Sequence, residues 1–298
     1  MRVAAIVGPT AAGKTAAALE VAEALGAEIV SVDSMQIYRG MDVGTAKPTR
    51  AEMERVPHHL VDLRDPGHEL TVAEFQELGR AAIEEIDRRG RLPLLVGGSG
   101  LYFRALVDDL EFPPRSEAVR RGLEEEAAEL GSHALHARLR AVDPIAAGRI
   151  EPGNVRRIVR ALEVVELTGA PFSGTVTWER YASRYDLAVA GLERERADLD
   201  RRIEERVAAM LAAGLVEEAE AIRAAGAGRT ASQALGYRQV FEGADDLQAG
   251  ISKATRRFAR RQLSWFKADP RVRWFDAAAT DLAPRLVAFF RSALALPL

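Results

Sequence analysis

Short apolar runs alternate with helical patterns in the first third of the chain. Arg2–Val7, Glu28–Val32 and Leu92–Val96 have the length and composition of buried parallel strands. Between them lie an alanine-rich helical pattern from about Lys14 to Leu25 and an amphipathic one from Thr71 to Arg89. This alternation predicts an α/β domain whose parallel sheet is covered by helices on both faces.

The pattern changes after Pro113-Pro114. From Ser116 to about Leu167 the sequence shows only helical patterns, with breaks at Gly131, Pro144 and Pro152. These helices are rich in Arg, Glu and Ala, unlike the strands before them. The change in composition predicts an all-helical module inserted into the α/β chain.

A strand at Asp186–Leu192 can rejoin the sheet. Helices are then predicted at about 198–213, 214–225, 231–241 and 245–268, before a strand at 272–275 and a helix from about 282. We therefore predict a core of residues 1–112 and 186–298, and an inserted helical domain of residues 113–185.

Composition excludes several classes of protein. The 298 residues include no cysteine, which excludes disulfides and thiolate metal sites, and the adjacent pair His58-His59 does not predict a zinc site. The sequence has no signal-peptide pattern and no 18-residue apolar run, so we expect a cytoplasmic protein without membrane contact. A net charge of −3 argues against a non-specific nucleic-acid coat protein.

A local basic stripe matters more than the total charge. Eight basic residues and one acidic residue lie between Lys253 and Arg273. Arg256 and Arg257 precede Arg260 and Arg261 by four residues, so the four cations share a broad helical face that suits RNA phosphates. We expect the aromatic residues of this stretch to pack in the core, namely Phe258, Trp265 and Phe266.

A phosphate-binding loop follows the first strand. The motif G-x-x-x-x-G-K-[ST] is matched without exception by Gly8, Pro9, Thr10, Ala11, Ala12, Gly13, Lys14 and Thr15. Its backbone N–H groups and the helix N-terminus suit phosphate oxygens, and the Thr15 hydroxyl suits Mg²⁺. The motif predicts polyphosphate and Mg²⁺ without specifying ATP.

Asp33 stands where the second strand ends, at the edge of the sheet where α/β proteins bind ligands. The carboxylate could cap a turn, hold Mg²⁺ indirectly or accept a proton from a substrate. The strand Leu94–Val96 runs into Gly97–Gly100 without the acidic residue of a Walker B strand. That absence weakens the interpretation as a motor NTPase.

Seven segments together resemble the tRNA dimethylallyltransferase family, the bacterial tRNA isopentenyltransferases. They are GPTAAGKT, SVDSMQIYRGMDVGTAKP, HHLVDLRDP, LLVGGSGLYFRAL, RRIVRALEV, LGYRQV and RRFARRQLSWFK, spread over about nine-tenths of the chain in the family's order. The resemblance implies a P-loop, nucleotide-kinase-like α/β core with an inserted helical domain. It also implies transfer of the dimethylallyl group of dimethylallyl diphosphate to N6 of the adenosine 3′ of the tRNA anticodon, with release of diphosphate.

The resemblance also implies roles for individual residues. Asp33 is expected to accept the N6 proton, and Thr10 to contact the diphosphate together with the loop, Mg²⁺ and an arginine of the helix that carries Arg202 and Arg206. Arg202 is favoured because the family's arginine precedes an Ile-Glu pair, as Arg202 does. Asp33, Thr10 and Arg202 are therefore the expected catalytic residues.

We expect a monomer that binds the tRNA anticodon stem-loop. The expected tRNA contacts are Asp33, Ser34, Met35, Gln36, Ser99, Arg121, Arg156, Arg157, Ile158, Val159, Arg160, Arg256, Arg257 and Arg260. Ser99 replaces a threonine that is common in the family, and the hydroxyl is kept.

Three alternatives remain open on sequence alone. They are a small-molecule P-loop kinase, an adenylate isopentenyltransferase acting on free AMP or ADP, and a non-enzymatic RNA-binding module. The RNA-binding module would not need an intact phosphate loop, and a free-nucleotide enzyme would not need a second basic domain.

Overall fold

The computed structural model describes residues 1–174 and 181–297. The strands of this part of the chain are β1 Arg2–Val7, β2 Ala27–Val32, β3 His58–His59, β4 Leu92–Gly97, β5 Asp186–Glu193 and β6 Val272–Asp276. The helices are α1 Lys14–Leu25, α2 Arg50–Arg55, α3 Val72–Arg88, α4 Gly100–Val107, α5 Glu117–Leu130, α6 Ser132–Val142, α7 Pro144–Arg149, α8 Val155–Thr168, α9 Arg196–Ala212, α10 Leu215–Ala224, α11 Arg229–Ser232, α12 Tyr237–Glu242, α13 Leu247–Lys267 and α14 Leu282–Ala293.

The six strands form one parallel sheet in the order β3-β2-β4-β1-β5-β6. β1 is central, with Ala4 opposite Leu94 of β4 and Ala188 of β5. Since all strands run the same way, the carboxyl ends of β1, β2 and β4 meet at one edge. The predicted parallel α/β fold is confirmed.

Alternate residues of the central strand serve different layers. Ala4 and Ile6 face a core that includes α1 and α14, whereas Val3, Ala5 and Val7 face a core built with α3, α4, α9 and α13. This follows from the two-residue period of a strand. A central strand buried on both faces needs apolar residues at every position, as the sequence shows.

The chain divides into two compact units, Met1–Asp108 with Tyr181–Leu298, and Asp109–Arg180. In the second unit α5, α6, α7 and α8 surround a small core that contains Leu135, Leu139 and Leu162. The boundary differs from residues 113–185 because the returning chain pairs with the first unit: the Arg184 amide donates to the Val107 carbonyl at 2.9 Å. Residues 175–180 of the predicted insert lie outside the described residues.

Several local predictions need correction. The helix predicted at 231–241 is interrupted, and α11 and α12 are separate because Gly236 adopts φ 91°, a left-handed conformation that favours glycine. The helix α4 starts at Gly100, the last residue of the glycine-rich segment Gly97–Gly100. Three short or unsignalled elements, α2, β3 and α4, were not predicted.

Candidate active site

The phosphate loop joins β1 to α1, and close contacts explain its glycines. A Cβ on Gly8 would lie 2.5 Å from the Leu192 carbonyl oxygen, and Gly13 adopts φ 100°. The Lys14 ammonium donates to the Pro9 carbonyl at 2.7 Å, which folds its side chain back along the loop. These features fit a phosphate loop, a type of loop whose backbone N–H groups can surround an anion.

Two arginines stabilise the loop through its carbonyl groups. Arg194 Nε donates to the Ala12 carbonyl at 3.0 Å, and Arg202 Nε donates to the Ala11 carbonyl at 3.0 Å. Arg194 also pairs with Asp198 at 2.7 Å. Neither role was predicted, because both contacts join residues more than 180 positions apart.

Two cavities adjoin at the carboxyl edge of the sheet. A small one, about 90 Å³, is lined by Lys14 and Thr15 and includes His58. A larger one, about 660 Å³, is lined by residues of α4, α9 and α13. The residues that border both are Thr10, Asp33, Thr45, Gly98, Arg206, Phe258 and Gln262.

Three charged groups share the small cavity, and each has an altered pKa. Loss of hydration and, to a lesser degree, the nearby Arg206 lower the pKa of Lys14 to about 7, against the opposing effect of Asp33. Loss of hydration raises the pKa of Asp33, against the opposing effects of the Met35 amide, Lys14 and Arg206. Two cations with reduced hydration and one carboxylate make a site that stabilises a bound anion.

Asp33 is held by a turn of its own loop. The Met35 amide donates to Asp33 Oδ1 at 2.9 Å. A carboxylate has roughly four acceptor positions, so this bond leaves capacity to accept a substrate proton. The interpretations of Asp33 as a turn cap and as a proton acceptor are therefore compatible.

The geometry favours Arg206 over Arg202 for contact with the diphosphate. Both residues lie on α9, one turn apart, but only Arg206 lines the two cavities. Arg202 donates instead to the carbonyl of Ala11 in the loop. The nearby carboxylate of Glu205 pairs with Arg201.

The expected tRNA-binding residues of the loop after β2 lie in two different environments. Ser34 and Met35 line the large cavity, as does Ser99 at the start of α4. Gln36 instead ties the loop together: its Oε1 accepts from the Ser31 hydroxyl at 2.8 Å, and its Nε2 donates to the Thr45 carbonyl at 3.3 Å. The Gln36 amide is thus engaged within the protein.

Glu218 holds the far part of the same loop and was missed by the sequence analysis. Its carboxylate accepts hydrogen bonds from the consecutive amides of Asp42, Val43 and Gly44, at 2.9, 2.9 and 3.1 Å. It also accepts from the Tyr237 hydroxyl. Tyr237 lies in the segment LGYRQV, which contributes only to the family resemblance, and no local pattern around Glu218 indicates this contact.

The helix α13 forms one wall of the large cavity. Its lining residues recur every three or four positions, and they are Ile251, Ala254, Thr255, Arg257, Phe258, Arg261, Gln262 and Trp265. Phe266 is buried as expected, but Phe258 and Trp265 line the cavity, and Trp265 is 40% exposed. The prediction that all three aromatic residues pack in the core is therefore wrong for two of them.

The arginines of α13 also differ from one another. Arg257 and Arg260 are exposed, as RNA contacts require. Arg256 pairs with Glu204 of α9 at 2.6 Å, so an RNA phosphate would have to compete with that carboxylate. Arg261 lies 5.7 Å from the ring centroid of Phe258 and lines the cavity beside it.

Comparison with known proteins identifies the family. The family model described as IPP transferase matches residues 36–269. The chain belongs to the IPP transferase family. Among curated relatives, the tRNA dimethylallyltransferase of Salinispora arenicola is 52% identical, covering 98% of this chain and 87% of its own. That of Geobacillus kaustophilus is 50% identical, covering 92% and 90%.

Solved structures agree with this family. The tRNA isopentenylpyrophosphate transferase of Bacillus halodurans is 40% identical, with a TM-score of 0.73, and the match covers 99% of this chain and 97% of that one. A eukaryotic dimethylallyltransferase solved acting on tRNA has a TM-score of 0.85 but only 24% identity, covering 99% and 79%. The latter likeness shows the fold alone.

The helical unit of this IPP transferase corrects part of the expected RNA contacts. Ile158 and Val159 are 0% and 1% exposed in the core of the unit, so their side chains cannot reach RNA. Arg160 pairs with the buried Glu163 at 2.9 Å and donates to the carbonyls of Pro113 and Pro114. Its guanidinium therefore stabilises the unit.

The remaining arginines of this unit that were expected to bind tRNA are exposed. They are Arg121, Arg156 and Arg157. Arg156 and Arg157 occupy the first turn of α8, whose opposite face is buried. These three positions remain predicted RNA contacts.

The residues available for Mg²⁺ fit an ion shared with a phosphate ligand. Among residues 1–174 and 181–297, no group of three or more histidine and carboxylate side chains could hold a metal ion. Thr15 is exposed at the small cavity, where its hydroxyl can supply one oxygen. Mg²⁺ usually keeps several waters and binds substrate phosphates, so one hydroxyl is a sufficient protein contribution.

Within the described residues, none of the helices is both long enough and apolar enough to cross a membrane.

Proposed function

We propose that this IPP transferase moves the dimethylallyl group of dimethylallyl diphosphate to N6 of the adenosine immediately 3′ of the anticodon in tRNA. The observation that carries the proposal is the position of Asp33, which borders the same cavity as the phosphate loop and Arg206. A proton acceptor and an anion site lie side by side, as the transfer requires.

The diphosphate occupies the small cavity in this proposal. Charge grows on the leaving oxygen as the allylic C–O bond breaks, and Lys14, Arg206 and the loop N–H groups neutralise it. The lowered pKa of Lys14 returns towards its ordinary range when the anion binds, because an opposite charge favours the ammonium form. Mg²⁺ at Thr15 would supply further charge neutralisation when bound.

Asp33 acts on the nucleophile. The new bond joins N6 of adenine to C1 of the dimethylallyl group, the C1–O bond breaks, and the N6 proton passes to Asp33. A raised pKa suits this role, because a more basic carboxylate is a better proton acceptor as long as it stays ionised.

The target base enters the large cavity. A base must leave its stack to reach such a site, and about 660 Å³ is within the usual range of ligand pockets. Phe258 and Trp265 offer apolar surface to the base or to the dimethylallyl group, and Arg257 and Arg260 lie on the same helix for phosphates.

The alternatives have less support. A P-loop kinase would need no wall of aromatic and arginine side chains beside its phosphate site, whereas α13 supplies one. An adenylate isopentenyltransferase shares the small-cavity chemistry, so the acceptor must be tested directly.

The decisive test incubates the protein with dimethylallyl diphosphate, Mg²⁺ and either unmodified tRNA, AMP or ADP. Nucleoside mass spectrometry should find N6-prenylated adenosine in the tRNA reaction alone. A tRNA with guanosine at the position 3′ of the anticodon is the matched control and should remain unmodified. Prenylation of AMP or ADP at a comparable rate would contradict the proposal, as would phosphoryl transfer from ATP to a small acceptor.

A further inference from the structure

Gln262 joins helix α13 to the phosphate loop. It is buried, at 7% exposure, and it borders both the small and the large cavity. Its Oε1 accepts a hydrogen bond from the backbone N–H of Thr10 at 2.9 Å. The contact joins residues 252 positions apart, so no local pattern around Gln262 indicates it.

The glycine-rich turn after β4 leaves room for this side chain. A Cβ on Gly98 would lie 2.1 Å from Gln262 Nε2 and 2.9 Å from the Gly8 carbonyl oxygen. Any larger residue at position 98 would therefore displace the Gln262 amide. The end of β4, the start of the phosphate loop and α13 thus meet at the Gln262 amide.

The hydrogen bond has a direct consequence for Thr10. The backbone N–H of Thr10 is committed to Gln262, so the position of this residue is set by α13 as well as by the loop. Thr10 borders both cavities together with Asp33 and Arg206. A shift of about 1 Å in a reacting group can cost on the order of 100-fold in rate, so this anchor matters for transfer.

We propose that Gln262 is a positioning residue for the transfer reaction, which holds Thr10 at the place where it contacts the diphosphate. The inference rests on the proposed function for its effect on turnover. A contrary account is that the Gln262 amide binds the target base itself, since it also lines the large cavity. Positioning of Thr10 would change the transfer rate, whereas binding of the base would change the Kd for tRNA.

The test compares Gln262→Met with Gln239→Met. Methionine keeps much of the shape of glutamine and removes the hydrogen-bonding amide. Gln239 is the matched control because it is also buried, at 5% exposure, and its Oε1 accepts from a backbone amide, that of Gly236, at 2.9 Å. Gln239 borders neither cavity.

Two kinds of measurement are made on both variants and on the wild-type chain. The first kind comprises the single-turnover transfer rate at saturating tRNA and dimethylallyl diphosphate, the Kd for tRNA and the Tm. The second is the hydrogen-exchange rate of the Thr10 amide by NMR, which needs no substrate and so tests the contact even if the proposed function fails.

We expect Gln262→Met to lower the transfer rate 10- to 100-fold while the Kd for tRNA changes less than about threefold. The Thr10 amide should exchange at least about tenfold faster in this variant, since its buried acceptor is lost. Gln239→Met should lower the Tm comparably and leave Thr10 exchange unchanged. Any loss of transfer rate should be smaller than in Gln262→Met, since Gly236, the partner of Gln239, lines only the large cavity.

Other results would overturn the proposal. An unchanged transfer rate in folded Gln262→Met would show that Thr10 needs no such anchor. A large rise in the Kd for tRNA at an unchanged saturated rate would assign Gln262 to base binding. If the wild-type chain transfers no dimethylallyl group, the proposed function fails, and unchanged Thr10 exchange in Gln262→Met would then reject the contact as well.

Discussion

The two cavities at the sheet edge differ in size, charge and the origin of their walls. The small cavity combines the phosphate loop with Lys14, Asp33 and Arg206, and it suits a compact anion. The large cavity is lined by α13, with aromatic and arginine side chains, and it suits a bulky base with its phosphates. Seven residues border both cavities, but the proposed function assigns bond breaking to the small cavity and RNA binding to the exposed arginines of α13, and substitutions can separate the two.

The largest expected effect comes from Asp33→Asn. The variant keeps the shape of the side chain and the acceptor for the Met35 amide, but it cannot take the N6 proton. We expect transfer at saturating substrates to fall on the order of 10²–10⁴-fold, the usual contribution of a positioned proton acceptor. Single-turnover rates measure this, and a wild-type rate in Asp33→Asn would remove the base from the mechanism.

Arg206→Ala should have the next largest effect. Its loss removes one donor to the growing leaving-group charge, which typically costs about 10²–10³ in kcat. Arg206→Lys should recover little, because lysine lacks the planar fork of the guanidinium. Arg202→Ala is the matched control from the same helix: it removes a bond to the Ala11 carbonyl and should cost less than about tenfold. Equal losses at the two positions would contradict the preference for Arg206.

Substitutions on α13 should change RNA affinity instead. Arg257→Ala removes an exposed cation that lines the large cavity, and Arg260→Ala removes an exposed cation elsewhere on the same helix. Each should weaken tRNA binding and lower the magnitude of the salt slope of log K by about one, as expected for one lost phosphate contact. Binding measured from low to moderate salt gives the slope, and Arg156→Ala or Arg157→Ala in the helical unit extends the comparison. A salt slope unchanged in all four variants would show that these arginines are solvated and contact no phosphate.

The sign of the pH dependence of transfer follows from Asp33. Loss of hydration raises the pKa of Asp33, and the proton acceptor must be ionised to work. Transfer should therefore fall as pH falls through the raised pKa, which lies above the ordinary value for aspartate. The single-turnover pH profile of the wild-type chain should show this acid limb, and Asp33→Asn should lose it. A limb that persists in Asp33→Asn would assign the titration to another group.

The sequence predicts the small cavity better than the large one, for a physical reason. The glycines of the phosphate loop belong to its sequence motif, and Asp33 directly follows the predicted strand β2. Both are local features that the sequence shows. The choice between Arg202 and Arg206 depends on which turn of α9 borders the two cavities, and no local pattern reveals this. Glu218 holds the loop after β2 through hydrogen bonds to residues as far as 176 positions away, and no local pattern reveals these bonds either.

Burial and ion pairing also remove some of the expected RNA contacts from reach of RNA. Ile158 and Val159 could have been recognised as core residues, because they lie on the apolar stripe of α8. The pairing of Arg160 with Glu163 follows the i,i+3 spacing of a helix, so it too could have been expected. Arg156 lies four residues before Arg160 on the same side of α8, but it is exposed in the first turn, whereas Arg160 pairs with Glu163.

The most direct test of the separation between the two cavities is a paired measurement on Arg206→Ala and Arg257→Ala. Both variants are assayed for single-turnover transfer at saturating substrates and for the Kd for tRNA at one salt concentration. The account predicts that Arg206→Ala loses on the order of 100-fold in rate with a nearly unchanged Kd, and that Arg257→Ala keeps the rate and binds tRNA more weakly. Loss of both rate and affinity in each variant would contradict it, because the two cavities would then act as one indivisible site.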